Sequence, residues 1–423
     1  MIATATLAPL RLQLNQLRNS TFFVNACYLM LSTFVVAAAG FGFWVVVAHA
    51  YSTDAVGLAT TLLSVSGLLS LLGLAGFDTT FVRFLPGSDR KNEYMNSGLI
   101  LVAVISAVFA VGFAMVLPVI SPRLSVLGTG WGLASFVFFT VVTALNVLTN
   151  AVFLAFKQAR YIFGINTISS IGKVTLPLVV ARGSALTIFA LAGLAQLLGL
   201  VLSIGWMYRR CGYTFLPRID LAALRVVRKF SLSVYVSSVL NLAPPTLLPL
   251  LIIHQLGPKN AAYYYMAFTI AGVLYTIAYA SMQSVFAEGS HNESALAAHV
   301  AKAAKLIGIL LVPAAIVLAL LSTVLLTIFG AEYAHGAASL LRLFAIGALP
   351  VAAYSALGAI FKVTKNLRGV VAMNITYATV ILACSYLFIP HLGLLGVGWS
   401  WLIGNLAACG IGAFFWIKFR KEV

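Results

Sequence analysis

The chain has 423 residues, 62% hydrophobic and only 8% charged, with a mean hydropathy of +1.04 and a formal net charge of +17. Soluble domains carry about 25% charged residues, so a water-soluble fold is excluded and lipid must cover the apolar surface. The basic excess invites a nucleic-acid reading, which the placement of the charges excludes in turn.

Twelve apolar runs reach the roughly 20 residues a helix needs to cross a bilayer. They lie at 21–48, 56–76, 98–120, 131–155, 162–181, 186–208, 231–254, 261–285, 306–329, 337–361, 370–390 and 396–417. Hydrocarbon offers no water to satisfy backbone groups, so these are helices, and the alternating pattern of barrel strands is missing. The predicted fold is an all-α integral membrane protein with twelve transmembrane helices. Arg11 and Arg18 precede a first run too long for a cleavable signal peptide, which predicts a retained first span.

In chain order, span one contains "AAAGFGFW", where Gly40 and Gly42 loosen the helix and read as a hinge. Asp78 and Arg83, in "GFDTTFVRFLPG" just past span two, are candidates for a cytoplasmic gate, with simple anchoring as the other reading of Arg83. Five residues apart, they do not form an i,i+4 pair. Asn146 and Asn150 share one face of span four. Span five carries Lys173 near its middle and Pro177 four residues on. A lysine at that depth costs about 2.5–3.5 kcal/mol, and the proline ring opposes the Lys173 carbonyl and opens the helical turn. A cation beside an opened turn points to a binding cavity.

The connection 209–230 contains "IDLAALRVVRKF", with Leu221, Leu224 and Val227 apolar and Arg225, Arg228 and Lys229 basic. It reads as an amphipathic linker on the membrane surface, with a partner-docking helix as the alternative. Pro244, Pro245 and Pro249 must bend or break span seven, which suits a second hinge. Tyr275, Tyr279 and Gln283 share a face of span eight, and Arg342 lies just inside the outer end of span ten. Such amides and aromatics suit sugar rings, although stripes of this kind also serve as packing glue between helices.

With the N-terminus inside, 21 of the 26 Lys and Arg residues fall in cytoplasmic segments. This asymmetry places both termini in the cytoplasm and most of the basic charge against anionic headgroups. None of the nine acidic residues falls near a bilayer centre. Cation and proton-coupled exporters usually need a buried carboxylate, whereas this chain buries a cation, so its cavity should take an anion. Cys27, Cys211, Cys384 and Cys409 have no paired spacing, which predicts neither disulfide nor metal site.

The chain also repeats itself. "AFKQARYIFG" at 155–164 returns 205 residues later as "IFKVTKNLRG", pairing Phe156 with Phe361, Lys157 with Lys362, Arg160 with Lys365 and Gly164 with Gly369. His49 and His254 end spans one and seven at the same offset, as Phe81 and Phe286 follow spans two and eight. Two six-helix units of equal orientation follow, related by an axis along the membrane normal. The predicted organisation is a tail at 1–20, a bundle at 21–208, the linker at 209–230, a second bundle at 231–417 and a tail at 418–423.

Several stretches carry a family resemblance: "VGLATTLLSVSGLLSLLGLAGFDTTFVRFLP", "LGPKNAAYYYMA", "FGAEYAHGAASLLRLFAIGALP" and "HLGLLGVGWS". With twelve spans in two halves, the chain resembles polysaccharide flippases of the multidrug/oligosaccharidyl-lipid/polysaccharide exporter superfamily. The resemblance implies a non-enzymatic protein of the plasma membrane that carries a polyprenyl-pyrophosphate-linked oligosaccharide to the outer leaflet. It implies alternating access through a cationic cavity, with no cofactor. Its partners would be the lipid-linked substrate, membrane lipids and glycosyltransferases or a polymerase of the same pathway. Lys173 matches a position where members often carry a basic residue. Its counterpart at the 205-residue offset, Ala378, is uncharged, so the cavity charge is lopsided. The substrate-binding set expected is Lys173 and Arg342 for pyrophosphate, with Asn146, Asn150, Tyr275, Tyr279 and Gln283 for sugar. A drug antiporter of the same fold and a non-transporting scaffold are the alternatives.

Overall fold

The structure, a computed structural model, describes residues 21–120, 127–180, 183–216, 232–291, 296–364 and 366–422. Helices dominate these residues, and no strand occurs among them. The first half contains α1 (Thr21–Ala50), α2 (Thr53–Leu74), α3 (Phe77–Phe84), α4 (Lys91–Ile120), α5 (Gly130–Ala155), α6 (Ala159–Val179) and α7 (Ala185–Arg210). The second contains α8 (Leu232–Leu256), α9 (Pro258–His291), α10 (Leu296–Leu320), α11 (Ser322–Thr327), α12 (Ala331–Val363), α13 (Leu367–Leu392) and α14 (Leu394–Glu422). Twelve of them, all but the short α3 and α11, are long and apolar enough to cross a membrane. The interfacial linker expected at 209–230 lies mostly outside the described residues. Its described part, from Cys211, is non-helical and is laced to α4 by Asn92 and Asn96, which bond Thr214 and Leu216.

Local chemistry sets the ends of the spans. Ser52, Thr129 and Asn366 each accept a hydrogen bond from the amide three residues on, at 3.3, 3.0 and 3.0 Å, and so cap α2, α5 and α13. Two left-handed residues, Ala75 (φ 46°) and Gly76 (φ 82°), split α3 from α2. The corresponding α9 has no such break and runs on to His291. The ninth predicted span, 306–329, is corrected: α10 starts ten residues earlier and ends at Leu320, and 322–327 is the separate α11.

The duplication is visible in the packing. In the first lobe α1 packs on α6, α4 on α5, and α7 on both α5 and α6. The second lobe repeats this with α8 on α13, α10 on α12, and α14 on both α12 and α13. Between the lobes α2 is the main strut, touching α8 and α9. The register of the twin loops differs from the sequence pairing. The Gln158 amide bonds the Phe153 carbonyl at 2.8 Å, and the Asn366 amide bonds the Phe361 carbonyl at 2.9 Å. Phe153 therefore matches Phe361, an offset of 208 rather than 205 in the loop, and helix length rather than residue type sets where the turn falls. The counterpart of Lys173 becomes Ile381, which is uncharged like Ala378.

The prolines do not break their helices. α8 runs through Pro244, Pro245 and Pro249, and α6 runs through Pro177 to Val179. At two prolines a neighbouring side chain satisfies the carbonyl left without its helical donor, as a lipid environment demands. Pro249 frees the Pro245 carbonyl, which accepts from the Tyr264 hydroxyl at 3.5 Å. Pro390 frees the Tyr386 carbonyl, which accepts from Gln255 Nε2 at 3.2 Å. Gly40 and Gly42 lie inside an unbroken α1. A Cβ on Gly42 would sit 3.8 Å from Val174, so Gly42 serves the seam between α1 and α6.

Candidate substrate cavity between the lobes

Between the lobes lies a cavity of about 560 Å³, walled by α1, α2, α5, α6, α7, α8 and α9, with Lys173 six residues from the end of α6 rather than near its middle. Its wall mixes aromatic rings (Trp44, Tyr265 and Phe268 among them) with small hydroxyl and amide groups, including Thr143, Gln196, Thr246 and Thr269. Among the described residues Lys173 is the sole charged one in the lining. The side chain is half-buried, with Nζ 4.9 Å from the centre of the fully buried Phe43 ring. Attraction to the ring face offsets part of the cost of a cation at this depth. Among the described residues no carboxylate pairs with it.

Two glycines shape the wall. Gly67 on α2 and Gly272 on α9 both line the cavity, and a Cβ built on either meets nothing within 4 Å. They stand 205 residues apart, the offset that also relates the starts of α2 and α9, so one glycine from each lobe keeps the same clearance.

The other expected site residues are dispersed. Arg342 does not line the cavity; its guanidinium bonds Ser322 Oγ at 3.0 Å and Thr323 Oγ1 at 3.4 Å, fastening α12 to α11. Buried Asn146 donates to the Gln196 carbonyl and to Gln196 Oε1, at 3.1 and 2.7 Å, and so ties α5 to α7. Gln196 in turn lines the cavity. Asn150 has a buried Oδ1 without a partner. Tyr275 is core: its hydroxyl donates to the Phe344 carbonyl at 2.9 Å and its ring stacks on Trp401. Tyr279, one turn on, lines a separate pocket in the second lobe. Gln283 continues α9, and its side chain lies outside the described residues. Asp78 and Arg83 lie on α3, with Asp78 within electrostatic reach of Tyr235 on α8 and Arg83 5.4 Å from the centre of the Phe84 ring.

Both termini of the bundle lie at one end, called proximal here; the turns between α1 and α2 and between α8 and α9 lie at the distal end. At the distal end the lobes meet tightly. A Cβ on Gly57 would fall 1.8 Å from the Pro258 carbonyl oxygen, so the backbones of α2 and α9 are in contact. Beside this, Thr53 donates to Glu332, which is ion-paired with Lys259. Nearer the proximal end the Tyr235 hydroxyl donates to the Leu72 carbonyl at 2.6 Å.

Two six-span lobes around a central cavity are the architecture of a multi-pass membrane protein. Solved structures agree on the fold. The chain matches an inward-facing multidrug resistance MATE family transporter of the MOP superfamily with a TM-score of 0.70, at 16% identity over 94% of this chain and 98% of that one. It matches the lipid II flippase MurJ in an inward closed conformation with a TM-score of 0.71, at 14% identity over 91% and 86%. An outward-facing MATE transporter gives 0.58, at 16% identity over 96% of both chains. No curated protein matches closely enough to count as a relative. The chain belongs to the polysaccharide biosynthesis protein family, whose model matches residues 46–338.

Proposed function

We propose that this protein is a flippase that carries a polyprenyl-pyrophosphate-linked oligosaccharide from the inner to the outer leaflet of the plasma membrane by alternating access. The observation that carries the reading is the cavity charge: among the described lining residues, one cation, Lys173, and no acidic residue. A pyrophosphate in a low-dielectric chamber is attracted strongly by a lysine, whereas a cationic drug would meet an unpaired positive charge. The polyprenyl tail stays in the bilayer while the anionic head and its sugars pass between the lobes. Membership of the polysaccharide biosynthesis family supports this substrate class. The distal closure at Gly57 and Pro258, with the higher TM-score against the inward-facing MATE arrangement than against the outward-facing one, supports a cavity that loads from the proximal, cytoplasmic side.

The positive-inside asymmetry supports cytoplasmic termini. Glycosyltransferases and a polymerase of the same surface-polysaccharide route are the partners proposed. The test is reconstitution into liposomes with a fluorescent polyprenyl-pyrophosphoryl sugar and, separately, a cationic dye. The flippase reading predicts movement of the lipid and no dye efflux. Dye efflux without lipid movement would establish the antiporter instead.

A further inference from the structure

The second lobe holds a pocket of about 430 Å³ bounded by α8, α9, α12 and α13, all of one lobe. That size falls within the roughly 300–1,000 Å³ of small-ligand sites. Leu242 lines both this pocket and the central cavity, so the two spaces adjoin. The wall mixes apolar side chains such as Leu242, Met282 and Met373 with neutral polar groups. Asn241 Nδ2 donates to the Tyr354 hydroxyl at 2.9 Å, and that hydroxyl donates to Asn374 Oδ1. Ser355 Oγ is buried without a partner among the described residues. Tyr279, 38% exposed, adds an aromatic surface. Gly358 clears the space, since a Cβ built there meets nothing within 4 Å. Among the described residues no carboxylate lines the pocket, and Lys362 supplies the one charge.

We propose that this pocket is a carbohydrate subsite, which receives a sugar ring of the substrate while Lys173 holds the pyrophosphate in the adjoining cavity. The inference rests on the flippase reading. Amides and hydroxyls both donate and accept, as sugar hydroxyls do, and an aromatic face offers a ring its apolar side. At the register set by the loops, Asn150 stands in the first lobe where Gly358 stands in the second. The position left without a side chain at the pocket in the second lobe therefore carries one in the first.

Binding in lipid nanodiscs tests the proposal, using a polyprenyl pyrophosphate and the same lipid bearing an N-acetylhexosamine. The wild type is expected to bind the sugar-bearing lipid at least about tenfold more tightly. Gly358→Phe should bring that affinity down to the value for the bare lipid and leave bare-lipid binding unchanged. Asn241→Ala, which adds no bulk, should weaken the sugar-bearing lipid alone by several-fold and keeps the test valid if Gly358→Phe does not fold. Equal binding of the two lipids, untouched by either substitution, would overturn the subsite and leave the flippase reading standing. Binding of neither lipid by the wild type would overturn both.

Discussion

The two lobes share a helix plan and differ in how they hold polarity. In the first lobe the cavity wall carries a single charge, Lys173 on α6, beside neutral groups such as Thr143 and the Gln196 that Asn146 holds between α5 and α7. In the second, Ile381 occupies the place of Lys173 and is fully buried, while Asn241, Tyr354 and Asn374 form a neutral network around an open pocket. Duplication supplied two similar scaffolds, and side-chain changes gave them different chemistry. The proposed substrate, with a doubly anionic head and a neutral, hydroxyl-rich body, would call for such a division. A symmetric clamp would put two lysines in one chamber, each raising the cost of burying the other.

The sharpest break of the comparison lies where the lobes touch. Gly57→Ala drives a methyl group into the Pro258 carbonyl, whereas Gly67→Ala and Gly272→Ala place it in open space. Overpacking costs about 1–3 kcal/mol, so thermal unfolding in detergent should show a clear drop for Gly57→Ala. The other two should stay within about 0.5 kcal/mol of wild type. Filling the cavity is the next test. Gly67→Trp and Gly272→Trp should each stop lipid transport in proteoliposomes while the protein remains monodisperse. Full transport by both would mean the substrate travels elsewhere.

A smaller effect is expected at the packing amide. Asn146→Leu leaves the Gln196 side chain without its donor and should cost about 1–3 kcal/mol of stability, with transport reduced less than by loss of Lys173. The smallest lies on the distal surface: Glu332→Gln breaks an exposed ion pair and should change stability by about 0–1 kcal/mol, checked by the same unfolding assay.

Much of this architecture was legible in the sequence, because twelve long apolar runs have one physical solution in lipid. Lys173 was legible for the same reason, since a buried cation is costly and stands out. The short helices were not. α3 depends on two left-handed residues at 75 and 76, and no apolar period announces that break. The loop repeat was visible, but its register depended on helix length and shifted by three residues. Tyr275 and Tyr279 share a face by spacing, yet one turn of rise puts the first against Trp401 and the second at the pocket. Arg342 had the right charge, but its neighbours Ser322 and Thr323 belong to α11, a helix the sequence did not reveal. Gly67 and Gly272 looked like ordinary helix glycines. Their common offset was the available signal.

The most direct measurement is the rate of lipid flipping in proteoliposomes for wild type, Lys173→Ala and Lys173→Arg, at matched reconstitution. If the first-lobe cation holds the pyrophosphate, Lys173→Ala should slow flipping by about 100-fold or more, equivalent to roughly 2.7 kcal/mol of lost interaction. Lys173→Arg should then retain most of the activity. Flipping by Lys173→Ala at the wild-type rate would contradict the account.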